Sequence, residues 1–390
     1  MRLANRFDKS IETDEYYRFS RLNKEKNKVA KISKEKILDL GIGDPNDYPP
    51  RKVIDEIKES IELDSSHGYS DNGIIEFRYK ISNYLGVSYK CVNHTMGTKE
   101  ALCILALMFI SKNDYIITTT PGYNILENMS KWLGGKTYYL PLLEETNYEI
   151  NLDKIPKSIL RRTKLMYLNY PNNPTGKLAT KELYLKALKL AKKYKFMVIN
   201  DNAYGDLFYN KEDIINFRDI EGFSEFGIEL NSFSKGYNMT GYRIGYILSN
   251  EKVIRVFQNV KDNLDSGQFI PIQKGAIKAL DSYKFVEELK CKYRIRQERL
   301  HSLLSNLGFN YELPKAGFFA YIKIPKYIDD VYMNNAYKCS MYLLKNYQIM
   351  TIPYDINEES HIRLSLTFKE NDDVFFNDLE KRLKKMKLKF

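Results

Sequence analysis

Between residues 114 and 235, short apolar, β-prone runs alternate with stretches of helical periodicity, and turn residues punctuate them. The runs are DYIITTT (114–120), KTYYLPL (136–142), KLMYLNY (164–170), FMVINDNAY (196–204) and GIELNSFSK (227–235), with the helical TKELYLKALKLAKKYK between the third and fourth. This alternation predicts an α/β fold, a mostly parallel sheet flanked by helices. In such a sheet the ligand site is built from loops at the carboxyl ends of the strands. From about residue 285 the pattern changes to a long charged helix, FVEELKCKYRIRQERLHSLLSNLG, and then to strands such as GFFAYIKI and SHIRLSLTF. The expected organisation is a large domain over 46–284, a smaller α+β domain over 285–390, and a segment over 1–45 that joins the smaller one. A chain of 390 residues is long enough for both.

Composition narrows the function classes. The net charge of +11 is spread along the chain, with one dense run at the end, KRLKKMKLKF, which reads as an amphipathic helix with a lysine face. No nucleic-acid-binding motif accompanies it, and the first forty or so residues are too few for a helix-turn-helix domain, so no nucleic-acid partner is expected. Cys91, Cys103, Cys291 and Cys339 match no metal or redox spacing, and His67, His94, His301 and His361 are scattered, so no metal site is expected. The longest apolar run, ALCILALMFI (101–110), is too short to span a bilayer and reads as a buried helix. The first twenty residues lack an apolar signal-peptide region. The expectation is a cytoplasmic protein with no membrane partner.

The candidate site residues fall at the ends of the expected strands. NYPNNPTGK brings Asn173, NDNAYGD brings Asp201 and Tyr204, and NSFSK brings Ser232, Ser234 and Lys235. HTMGTKEAL places Gly97 and Thr98 at the start of the buried helix, where backbone N–H groups, a hydroxyl and the positive dipole end face an anion; Thr98 alone would equally be a helix cap. Each segment alone reads as a turn or a cap. Together they suit pyridoxal phosphate, which needs a lysine to form an imine, a carboxylate facing its pyridine nitrogen and a phosphate cradle. Lys235 would be the amine and Asp201 the carboxylate that keeps the ring protonated. Asn173 and Tyr204 could bond the ring hydroxyl. Arg243, Ser232, Ser234, Thr98 and the Gly97 backbone could hold the phosphate, and Tyr123 could stack on the ring.

YPNNPTG, DNAY, SFSKGYNMTGYRIG and the late IRLS occur in the order and at the spacing of the class I/II aminotransferases, and the chain resembles this fold-type I family of transferases over nearly its whole length. DSGQFIPIQKGAI, YNMTGYRIG and LPLLEETNYEINLD look most similar to the branch that contains LL-diaminopimelate aminotransferases. The resemblance implies the roles just given. It further implies that Arg363 binds the substrate α-carboxylate, its fork of donors suiting a bidentate contact. It implies that Gly43 lies close to substrate, that Lys99 belongs to the cofactor region, and that Tyr69 reaches the phosphate of the neighbouring subunit in a homodimer. The implied reaction belongs to amino-acid metabolism: an amino group moves between an amino acid and a 2-oxo acid by a ping-pong mechanism, with LL-diaminopimelate, aspartate or another amino acid as donor. Lys235 shuttles the proton as general base and acid. The alternative on the same fold is a pyridoxal-phosphate-dependent lyase or cyclase. Two departures from the family pattern stand out: NDNAYGD where DAAY is more usual, and Gly236 where threonine commonly follows the lysine.

Overall fold

The computed structural model describes residues 18–45 and 47–390. The chain divides into two compact units. The larger takes Pro45–Asn173 and Lys177–Cys291; the smaller takes the chain up to Asp44, Pro174–Gly176 and Lys292–Phe390. The boundary after Cys291 falls inside the long helix Tyr283–Asn306.

The larger unit is built on seven strands: β1 (Val92–Thr95), β2 (Tyr115–Thr120), β3 (Lys136–Pro141), β4 (Thr163–Asn169), β5 (Met197–Asp201), β6 (Gly227–Ser232) and β7 (Gly245–Ser249). Their order across the sheet is β1-β7-β6-β5-β4-β2-β3. All pairings are parallel except those of β7, which runs antiparallel to both β1 and β6. The central strands are apolar on both faces because helices cover both. Along β4, Met166 and Leu168 enter one core with Phe77, Leu188 and Phe233, while Leu165 and Tyr167 enter the other with Leu102, Leu105 and Phe257. The helix expected at 101–110 is Thr98–Phe109, buried along Ala101, Leu102, Ile104, Leu105 and Ala106.

Two expected strands end earlier than the sequence suggests, because polar side chains capture the chain where the ladder would continue. After β5, Asp201 Oδ1 accepts the Ala203 N–H (3.1 Å), which turns the chain. After β6, Ser232 Oγ accepts the Ser234 N–H (3.1 Å) and caps the short helix Phe233–Gly236 that carries Lys235.

In the smaller unit, β8 (Phe319–Lys323), β9 (Ile352–Ile356) and β10 (Glu359–Ser365) form an antiparallel sheet with β10 in the centre. The buried Arg296 guanidinium fixes the chain just after β10, donating to the Leu366 and Phe368 carbonyls (2.6 and 3.1 Å) and to Asp372. The C-terminal run is not the single amphipathic helix expected. The helix Asp372–Leu383 stops, and Leu388–Lys389 pairs antiparallel with Tyr327–Ile328. Two bonds between Asp329 and Lys387 (3.0 and 2.9 Å) and the packing of Phe390 on Phe309 draw the tail into that pairing. Among the described residues no helix is long and apolar enough to cross a membrane, and no cluster of metal-ligating side chains occurs.

Candidate active site

The sheet topology explains why distant segments meet. Strands β1, β2, β4, β5 and β6 run the same way, so Thr98, Tyr123, Asn173, Asp201 and Lys235 all follow carboxyl ends at one edge. Arg243 precedes a strand instead. It reaches the same edge because β7 runs backwards, and Gly245 pairs with both Thr95 and Ser232.

Asp201 is 3% exposed. Its Oδ2 accepts the Tyr167 hydroxyl (2.9 Å) and its Oδ1 the Ala203 N–H. Burial pushes its carboxyl from 3.8 up to about 6, against these two bonds, which favour the charged form. Tyr123 and Tyr204 lie close enough to Tyr167 to act on its titration together with Asp201, so these four side chains form one group. Tyr204 is buried, and its hydroxyl is 3.4 Å from Asn173 Nδ2. Asn169 holds this corner together: its amide donates to the Asp201 carbonyl (2.8 Å), and its Oδ1 accepts the Asn173 N–H (3.0 Å). The asparagines of NYPNN are therefore not interchangeable turn residues. Neither Tyr167 nor Asn169 stood out in the sequence, since Tyr167 is interior to an apolar strand and Asn169 is its last residue.

Gly97, not Thr98, is the cap residue of the helix Thr98–Phe109. Its φ of +79° disfavours a side chain, and a Cβ there would lie 2.5 Å from Arg243 Nη2. Arg243 itself takes a left-handed conformation (φ 55°), and its guanidinium donates to the carbonyls of Thr240 (2.8 Å) and Met96 (3.4 Å). The Thr95 hydroxyl, which faces Gly245, is buried with no partner among the described residues. An exposed arginine, a helix N-terminus and a glycine that clears space between them form a donor set suited to an anion. The buried carboxylate at Asp201 suits a protonated ring nitrogen. Ser232 and Ser234 are buried, with the Ser232 oxygen engaged as a cap; Lys235 is half-buried. Lys99 is exposed, and its charge lies near Cys103 one turn along the helix. Tyr69 is 88% exposed.

Gly236 has an explanation the sequence did not offer. A Cβ there would stand 2.4 Å from the Cβ of Asp206, so the usual threonine has no room. The departure at 236 and the aspartate of NDNAYGD are matched to each other.

In the smaller unit Arg363 is not an edge residue. It sits in the central strand, 2% exposed, donates to the Gly41 carbonyl (2.7 Å) and lies 4.2 Å over the Phe319 ring. Gly43 faces the same ring, where a Cβ would come within 2.7 Å of Phe319. Gly43 and Arg363 thus meet at one aromatic side chain.

The family model described as aminotransferase class I and II matches residues 35–376. The LL-diaminopimelate aminotransferase of Methanocaldococcus jannaschii is 34% identical, covering 97% of this chain and 95% of that one. The protein of the same name from Halothermothrix orenii is 31% identical over 96% and 97%. Among solved structures, substrate-bound BacF from Bacillus subtilis has a TM-score of 0.86 at 29% identity, covering 95% of each chain. A single mutant of Thermus thermophilus aspartate aminotransferase has a TM-score of 0.87 at 22% identity, covering 98% of this chain and 100% of that one, a likeness of fold alone. The curated relatives named here are transferases, which leaves the lyase and cyclase alternative without support. A mostly parallel sheet, a lysine at its carboxyl edge, an arginine brought to the same edge by the one reversed strand, and likeness along nearly the whole chain lead to one conclusion: the chain belongs to the aminotransferase class I and II family.

Proposed function

We propose that this aminotransferase works with pyridoxal phosphate held at the carboxyl edge of the large sheet, and takes its amino group from LL-diaminopimelate or, failing that, from aspartate or another amino acid. The observation that carries the reading is the convergence of Lys235, the buried Asp201 and the Gly97–Arg243 pair on that edge. When bound, the cofactor supplies an aldehyde that captures amines and a ring that draws electrons from the substrate Cα. Gly97, Thr98, Arg243, Ser232 and Ser234 hold the phosphate. Asp201 fixes the proton on the ring nitrogen, oriented by the Tyr167 hydroxyl. Asn173 and Tyr204 hold the ring hydroxyl, and Tyr123 packs on the ring. Lys235 Nζ takes the proton from the substrate Cα and returns it later in the turnover, first as base and then as acid. Arg363 binds the substrate carboxylate. Its approach is fixed in advance by the Gly41 carbonyl and the Phe319 ring, so little side-chain freedom is lost on binding.

The LL-diaminopimelate preference rests on the curated relatives at 31–34% identity. A homodimer is part of the proposal. Tyr69, Leu264 and Phe269 are exposed, and the Ser70 hydroxyl ties their two segments together at the Gln268 carbonyl (2.7 Å). Light scattering on the purified protein tests this directly. The four free cysteines suit a reducing compartment, the cytoplasm.

The decisive experiment mixes cofactor-loaded protein with amino acids one at a time and no oxo acid. The expected result is about one 2-oxo acid released per site for the true donor, after which release stops because the second half-reaction lacks its acceptor. Continuous product formation without an acceptor would instead mean a lyase-type reaction. Lys235→Ala should bind the cofactor without a borohydride-fixable bond and lose turnover.

A further inference from the structure

We propose that Lys261, together with Glu100 and Asp265, is the positioning device of the anion cradle: one buried ammonium braces the two chain segments that meet around Arg243. The inference rests on reading that edge as a phosphate site.

Lys261 lies in the helix Glu251–Asp262, and its side chain is 0% exposed. Its Nζ is 2.8 Å from Glu100 Oε1 and 2.6 Å from Asp265 Oδ2. Each carboxylate turns its other oxygen to a main-chain N–H. Glu100 Oε2 accepts from Met96 (2.7 Å), and Asp265 Oδ1 accepts from Gly267 (2.8 Å). Both arms lead to Arg243. The Met96 carbonyl accepts its Nη2 (3.4 Å), and the next residue is the glycine that clears space for the guanidinium. On the other arm Gln268, next to Gly267, donates to the carbonyls of Tyr242 and Arg243 (3.0 and 2.7 Å). The links form a closed ring from Arg243 through Met96, Glu100, Lys261, Asp265, Gly267 and the adjoining Gln268 back to Arg243.

Burying an ammonium is a poor route to stability, because desolvation offsets much of the attraction. What the cluster supplies is direction: apolar contact at the same place would not fix which oxygen meets which N–H. The cradle needs such restraint. Arg243 and Ser266 have positive φ (55° and 56°), conformations that a residue with a side chain keeps only where the surroundings enforce them. The charge of Lys261 is felt nearby. His94 on β1 is pushed down to about 4 by burial and then by this ammonium, and so stays neutral.

The test compares two probes on cofactor-free protein, pyridoxal 5′-phosphate and pyridoxal, which has the aldehyde and ring but no phosphate. Binding is followed by absorbance. Lys261→Met keeps an unbranched chain one atom shorter and removes the charge. Its affinity for pyridoxal phosphate should fall about tenfold while its affinity for pyridoxal stays that of the wild type. Equal loss with both probes, or no loss with either, overturns the inference. If Lys261→Met does not fold, Glu100→Gln provides the same readout. An amide has one oxygen for the two donors now shared by the carboxylate, so either Lys261 or the Met96 N–H loses its acceptor. The same selective loss is expected, and an unchanged ratio of affinities overturns the inference. A wild-type protein that binds neither probe refutes the functional reading itself, and the inference with it, before any variant is made.

Discussion

Replacing Asp201 by asparagine tests the electrostatics of the site before any substrate is added. The folded protein holds this carboxyl at about 6, where an ordinary aspartate sits at 3.8. Between those values the unfolded chain has released its proton and the folded chain has kept it. The unfolded state then binds fewer protons, so stability falls as pH rises through this window. At about 1.4 kcal/mol per pH unit, the full loss above pH 6 is about 3 kcal/mol. Asparagine has no charge to bury. It can keep both bonds, its oxygen accepting from Ala203 and its amide donating to the Tyr167 oxygen, which are the partners of Asp201 now. Cofactor-free Asp201→Asn should therefore be more stable than wild type by up to about 3 kcal/mol at pH 8, with the difference shrinking toward zero as pH approaches 4. Urea unfolding can follow Trp132, the single tryptophan, which lies in the larger unit. Saturating pyridoxal phosphate should reverse the order, because a cationic ring partner favours the charged carboxylate. A wild type as stable as the variant at pH 8, or a difference that does not change between pH 4 and 8, would refute the reasoning.

Three further substitutions probe other parts of the site. Gly97→Ala places a methyl 2.5 Å from Arg243 Nη2 at a φ of +79°; it should destabilise by about 1–2 kcal/mol and weaken pyridoxal phosphate binding, read by thermal melting and absorbance titration. Arg363→Ala should raise KM for the active amino acid by an amount corresponding to about 2–5 kcal/mol, the size of a lost buried charge pair, and an unchanged KM would move the carboxylate site elsewhere. Gly236→Ala should destabilise by about 1–3 kcal/mol through its clash with Asp206, and Asp206→Gly in the same chain should recover most of that; a neutral Gly236→Ala would remove the explanation given for this glycine.

The class of fold was legible because a strand buried on both faces must be apolar throughout, and such runs separated by helical periods leave few architectures open. The candidate site residues could be picked for a similar local reason: Asn173, Lys235 and Thr98 follow strands and Asp201 closes one, and polar residues at such ends are where a sheet of this kind builds a ligand site. The C-terminal tail was misread because periodicity cannot register a competing partner: Asp329 and Phe309 lie far from residues 387–390 in sequence and become neighbours only in the folded unit.

The sequence by itself determined the strand–helix alternation and the place of the candidate site residues at strand ends. Tertiary structure decided which of those ends adjoin, through a single reversed strand that brings Arg243 beside Gly97. It also decided which apparently ordinary residues support them. Tyr167 under Asp201, Asp206 against Gly236, and Lys261 against Glu100 act through contacts between residues 30 to 161 positions apart. Local pattern is set by the short-range periods of helix and strand, whereas these contacts depend on how the chain returns to the same edge, and no short window of sequence encodes that return.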